Sequence, residues 1–157
     1  MRLRACTLAL ALAVLAWAPA RAEEVVLVVV NPATPVRTLS SADIRDAYLG
    51  ETAFWGHVKI HPATLRVPPE LFAGFLAATL AITPSAYERS WMLRVFRDGG
   101  MPPRSFDTPA DLLRFVARTP GAVGFVRPAD LPDTDSVRVA ARIPIANLPT
   151  SRPRSGA

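Results

Sequence analysis

The chain has 157 residues, with 18 Lys and Arg against 13 Asp and Glu, a formal net charge of +5 and a mean hydropathy of +0.24. Half of its residues are hydrophobic, which sets it apart from disordered, highly charged chains, and its single cysteine excludes a disulfide framework. The arginines are spread along the chain and are not interleaved with aromatic residues, which argues against a nucleic-acid partner.

The first residues, Met1, Arg2, Leu3 and Arg4, precede an apolar run from Ala5 to Ala18 and then Ala20-Arg21-Ala22. A basic start, a short apolar stretch and a small-x-small site predict a secretory signal peptide over residues 1–22, cleaved after Ala22. The run is shorter than the roughly 20 residues of a membrane span. Cys6 lies near its start and is poorly placed as a lipoprotein acceptor. The expected location is therefore the periplasm, with no membrane embedding after cleavage; an uncleaved N-terminal anchor is the alternative. Cleavage removes Arg2, Arg4, Arg21 and Cys6, so the remaining chain is less basic than the whole. One domain with its own core is expected over 23–141, followed by a mobile tail over 142–157 that is rich in Pro, Ser and Arg.

Val25 to Val30 is an unbroken β-branched and Leu run, the pattern of a strand buried on both faces. Asn31-Pro32 ends it. The stretch from Leu39 to Trp55 reads as a fully punctuated helix. Ser40 is its N-cap, Asp43 fills the acidic slot of a capping box, and Ile44, Ala47 and Tyr48 share one apolar face. Gly50 stops it as a left-handed C-terminal cap, and Phe54 and Trp55 then turn apolar surface toward the body.

Residues His57 to His61 alternate and predict a half-buried strand, with His57, Lys59 and His61 on one face. Two histidines separated by a lysine, with no third ligand nearby, predict a solvated strand face and no metal. Helices are expected over Glu70–Leu80, after Thr83-Pro84, and after Thr108-Pro109, where Asp111 completes the cap. The second carries Tyr87, Trp91 and Val95 in one stripe, with Met92 and Phe96 beside it, and Trp91 is expected in the core. It ends at Gly99-Gly100. The third buries Leu112, Leu113, Phe115 and Val116. A turn at Thr119-Pro120-Gly121 leads to a strand over Ala122–Val126, where Gly124 is expected to let a neighbouring backbone or ring approach closely. Val137–Ala141 is the expected last strand. Asp130, Asp133 and Asp135 lack the spacing and the glycine of a calcium loop and read as a solvated turn. No nucleophile elbow or Walker loop is present, so no catalytic set, cofactor or enzyme is expected.

The Leu39–Trp55 pattern, Leu-Ser-x-x-x-Ile-x-x-x-Tyr-Leu-Gly with a Trp five residues on, resembles the start of the second lobe of phosphate-binding proteins of ABC transporters. It is closer still to short single-lobe relatives of them. The ordered segments Val28–Asn31, Ile60-His61-Pro62, Ser90-Trp91, Phe96 with Gly99–Pro103, and Pro120–Val126 agree, so the resemblance covers about residues 25 to 127. It implies one α/β lobe of a periplasmic-binding-protein-like fold, with a small mixed sheet flanked by helices. In that family the anion is held by Ser and Thr hydroxyls, backbone N–H groups at helix starts and an arginine, which Arg66 matches here. The Gly-Ser-Gly-Thr loop of the family is replaced by Val67-Pro68-Pro69-Glu70, in which neither proline has an N–H to donate. The resemblance thus implies an exported, non-catalytic domain that binds phosphate or another small anion weakly. The alternative is a periplasmic protein-interaction module that keeps the fold without the ligand site.

Overall fold

A computed structural model describes residues 23–146. β1 (Glu24–Val30) forms as the β-branched run predicts, and its last five residues are buried. It lies between β6 (Ala122–Val126) and β7 (Arg138–Ile145), antiparallel to both. β6 in turn runs parallel to β4 (His61–Leu65), and β4 parallel to the edge strand β5 (Arg104–Phe106). The order β5-β4-β6-β1-β7 makes a five-stranded mixed sheet, and a separate hairpin is formed by β2 (Phe54–Trp55) and β3 (Val58–Lys59).

Helices α1 (Ser41–Leu49), α2 (Pro69–Leu80) and α3 (Pro84–Asp98) gather on one side of the sheet, and α4 (Pro109–Arg118) covers the other. The centre of the first layer is aromatic. Phe125 of β6 stacks on Phe75 of α2 at 4.0 Å between ring centres, and Tyr48 of α1 meets Phe75 edge-on at 5.0 Å. On the α4 side, Gly124 leaves room for Leu112, whose Cδ2 would lie 2.6 Å from a Cβ there. The close neighbour at Gly124 is thus a leucine side chain, where the sequence predicts a backbone or a ring.

The caps follow the sequence. The Ser40 hydroxyl accepts from the Asp43 N–H at 3.2 Å, while the Asp43 carboxylate accepts from the Ser40 N–H at 2.8 Å. Gly50 closes α1 at φ +71°, and Gly99 closes α3 at φ +67°. Hydrogen bonds from the Ser40 side chain and backbone hold the Asp43 carboxyl below the usual carboxylate range. Since the folded value is the lower one, the cap stabilises the fold above the unfolded pKa and fades as pH falls through the folded one. Ser40→Ala should cost about 0.5–2 kcal/mol in urea unfolding at neutral pH. The gap from the parent should shrink in acid; a gap that is constant with pH would show that Asp43 is not linked to Ser40.

Two of the expected strands differ from the sequence reading, and β5 has no counterpart in it. The strand expected over His57–His61 is split. His57 lies in the β2–β3 turn, Lys59 ends β3, and His61 opens β4. Gly56, at φ +60°, lets the chain reverse there, and the Ile60 N–H then bonds the Ala53 carbonyl. The two histidines therefore do not share a strand. The last strand runs on past Ala141 to Ile145, so Arg142–Ile145 is sheet and not tail, with Ile143 and Ile145 buried. Pro144 is tolerated because β7 is an edge strand. The predicted signal peptide over 1–22 and residues 147–157 of the predicted tail lie outside the described residues.

Asn31 does more than end β1. Its side-chain amide donates to the Val116 and Ala117 carbonyls at 2.8 and 2.9 Å, and its Oδ1 accepts from the Ala33 N–H at 2.8 Å. The buried side chain thus ties the loop after β1 to the end of α4.

Candidate functional site

A groove of about 280 Å³ opens between α3 and the β4–β5 edge of the sheet. Its floor is set by strand register. Thr64 pairs with Ser105, so both hydroxyls leave the same face and meet at 3.1 Å. Arg66 follows β4 by one residue, and its backbone N–H still bonds the Phe106 carbonyl at 2.9 Å, which fixes where the side chain starts. The Arg66 guanidinium lies over the Phe72 ring at 5.2 Å, and its Nε donates to the Ser105 hydroxyl at 3.3 Å. An arginine and two hydroxyls therefore converge at the carboxyl ends of two parallel strands, where open α/β sheets commonly bind ligands.

The arginine is already engaged. Its Nη1 donates to Glu88 Oε1 of α3 at 2.6 Å, in a pair whose side chains are 39% and 52% exposed. Such a half-exposed pair contributes on the order of 1 kcal/mol or less, so a competing anion can displace it. Glu88 still brings negative charge to the place an anion would occupy. The adjoining start of α2 adds little, because its cap, Pro68, makes no side-chain cap bond and Pro69 occupies the first turn.

Across the groove stand Tyr87, Trp91, Met92, Val95 and Phe96 of α3. Tyr87 and Trp91 are buried, as expected for the core, and both donate to the Tyr48 carbonyl, at 3.1 and 3.0 Å. Burial pushes the Tyr87 phenol well above its ordinary pKa, so it remains a donor. Val95 departs from the expected stripe, and Met92 and Phe96 flank it. They are exposed and line the groove, and Phe96 exposes 84% of its surface. The helical period marks a face, but among the described residues no neighbouring element covers this part of it.

Of the sequence-predicted residues, Arg66 lies in the groove, His57 and His61 are separated, and the aspartates of the 130–135 stretch line none of the pockets described here. Among the described residues no group of three or more His, Cys, Asp or Glu is placed to hold a metal ion, and no helix is long and apolar enough to cross a membrane. Glu88, Thr64 and Ser105 were not signalled by the sequence. Residues 22 and 39 positions from Arg66 meet it only through tertiary packing.

No family model matches the chain, and no curated protein matches it. Solved structures do. An ABC-type phosphate transport receptor from Vibrio cholerae superposes with a TM-score of 0.56 at 15% identity, over 78% of this chain and 55% of that one. The fold is α/β, of the periplasmic-binding-protein kind. A protein described as a phosphate ABC transporter substrate-binding protein, solved with bound phosphate, from Clostridium perfringens gives 0.59 at 14% identity, over 74% of this chain and 44% of that one. The chain thus spans about half the length of the proteins it resembles, and at these identities the likeness is one of fold.

Proposed function

We propose that this chain is an exported, non-catalytic binding domain of the periplasm, whose groove takes phosphate or another small anion weakly through Arg66. The observation that carries this reading is the convergence of the Arg66 guanidinium with the Ser105 and Thr64 hydroxyls at the open end of β4 and β5. A guanidinium offers a planar fork of donors, and hydroxyls supply the remaining bonds to a tetrahedral oxyanion. The fold shared with phosphate-binding transport proteins supports the same reading. Affinity is limited from three sides: Glu88 competes for the guanidinium, the prolines at the start of α2 withhold N–H donors, and the groove is open to water.

Calorimetric titration with phosphate and sulfate at low salt tests it. The parent should bind in the millimolar range, on the order of 4 kcal/mol. Arg66→Ala should abolish binding in the groove, and Arg66→Lys should weaken it nearly as much, because an ammonium cannot reproduce the fork. Glu88→Gln should tighten binding about fivefold, on the order of 1 kcal/mol, by removing the competing carboxylate. Absence of heat with millimolar phosphate on folded Glu88→Gln protein would retire the anion reading. The protein-interaction reading would then stand, favoured by the exposed apolar side chains of Met92, Val95 and Phe96 along the groove.

A further inference from the structure

The two faces of β4 carry different chemistry. Thr64 and Arg66 leave it toward α2 and α3, whereas His61 and Ala63 leave it toward α4. Because Arg104 pairs with Ala63, its side chain emerges on the His61 face, and its guanidinium lies over the Phe115 ring of α4 at 5.5 Å. Lys59, at the end of β3, reaches the same place. A cleft of about 450 Å³ results, with Lys59, His61 and Arg104 in its lining together with Ile60, Met101 and Phe115.

No carboxylate lines this cleft, and neither Lys59 nor Arg104 has an ion-pair partner among the described residues. Arg66, by contrast, has Glu88. The cationic cluster is also built on fixed backbone. The His61 N–H donates to the Gly121 carbonyl at 3.0 Å, and Gly121 lies so close to the Lys59 carbonyl that a Cβ there would come within 2.0 Å of it. Cations gathered in a concave, half-apolar site without a countercharge create a positive potential that favours an anion. The cleft has room for more than an inorganic ion, and its apolar wall suits a hydrocarbon body.

We propose that Lys59, His61 and Arg104 form a second anion site, on the α4 face of the sheet edge, for the sulfate or phosphate group of an organic monoester whose apolar body rests on Ile60, Met101 and Phe115. Arg104 supplies a fork pre-set by stacking on Phe115, Lys59 a point charge, and His61 a further donor when protonated. Partial burial, with Lys59 as the charge acting on it, holds the His61 imidazole below its ordinary pKa. A bound anion reverses that balance and favours the imidazolium. Affinity therefore rises as pH falls through the His61 pKa.

Phenyl sulfate is a suitable probe, because its own charge does not change over this pH range. With protein expressed from its full sequence, imidazole resonances are followed by NMR against pH, with and without millimolar phenyl sulfate. The ligand should raise the His61 pKa. Calorimetry should show binding that weakens about tenfold in Arg104→Gln, through loss of a charge-assisted bond, and is unchanged in Arg66→Ala. An unmoved His61 pKa in folded parent protein would overturn the proposal without any variant. Binding that survives Arg104→Gln would overturn it too. Binding lost in Arg66→Ala would transfer the ligand to the groove of the proposed function and leave this cleft without one.

Discussion

Gly121→Ala is expected to destabilise the protein by about 4 kcal/mol or more, the range reserved for substitutions that break a backbone arrangement. Gly121 has φ +78°, and a Cβ built on it would meet the Lys59 carbonyl oxygen at 2.0 Å and a Val58 methyl at 2.8 Å. The nearest obstacle is backbone, which cannot rotate away as a side chain can. The His61 N–H bonds the Gly121 carbonyl, so relieving the clash by moving β3 also disturbs the first residue of β4. Gly99→Ala is the control. It has a similar φ of +67° but nothing within 4 Å, so it bears only the left-handed penalty of roughly 1–2 kcal/mol. Urea unfolding of both variants separates the clash from the dihedral cost. Equal losses would mean that β3 yields freely, and Lys59 would then have no fixed place beside His61.

Local signals in the sequence are enough for the caps and for the interior strand β1. Ser40, Thr83 and Thr108 each accept from an N–H three residues on, and such bonds depend only on the residues beside them. The β-branched run of β1 is legible for the same reason: a strand buried on both faces needs no alternation to announce it. β5 is another matter. Arg104-Ser105-Phe106 has no run and no period of its own, and it is a strand because β4 lies beside it. The end of β7 was hidden by Pro144, which reads as a breaker unless the strand is known to be an edge.

The sites were harder to read than the fold. Arg66 could be singled out only by likeness to a known pattern, and its partners Glu88 and Ser105 come from other elements. On α3 the period identified an apolar face correctly, but the sequence does not state how far the neighbouring elements extend. Tyr87 and Trp91 fall under cover, and Val95 and Phe96 fall beyond it. Lys59 and His61 were read as one strand face, whereas the Gly56 turn places them on successive elements that converge on Arg104. In each case the missing information is a contact between residues far apart in sequence.

Trp91→Ala should cost about 3–5 kcal/mol, the usual loss for a buried tryptophan. The ring is 8% exposed and packs over Gly50, where a Cβ would lie 2.6 Å from its Cη2, so the left-handed cap of α1 and the indole of α3 fit together. Its Nε1 donates to the Tyr48 carbonyl, which the Tyr87 hydroxyl also serves. The loss therefore combines a hydrogen bond with packing. Trp91→Phe keeps part of the apolar area but removes the N–H together with the ring carbons that pack on Gly50, and since Tyr48 retains one donor the expected loss is about 1–3 kcal/mol. The remainder of the Trp91→Ala loss is packing. Because Trp91 also lines the Arg66 groove, the same pair of variants reports on binding. Trp91→Phe should leave phosphate affinity within about twofold of the parent, as the ring gives no hydrogen bond to the anion. A Trp91→Phe protein that is as stable as expected yet has lost its phosphate heat would show that the indole itself contacts the ligand, and would shift the anion from the Arg66–Ser105 floor toward α3.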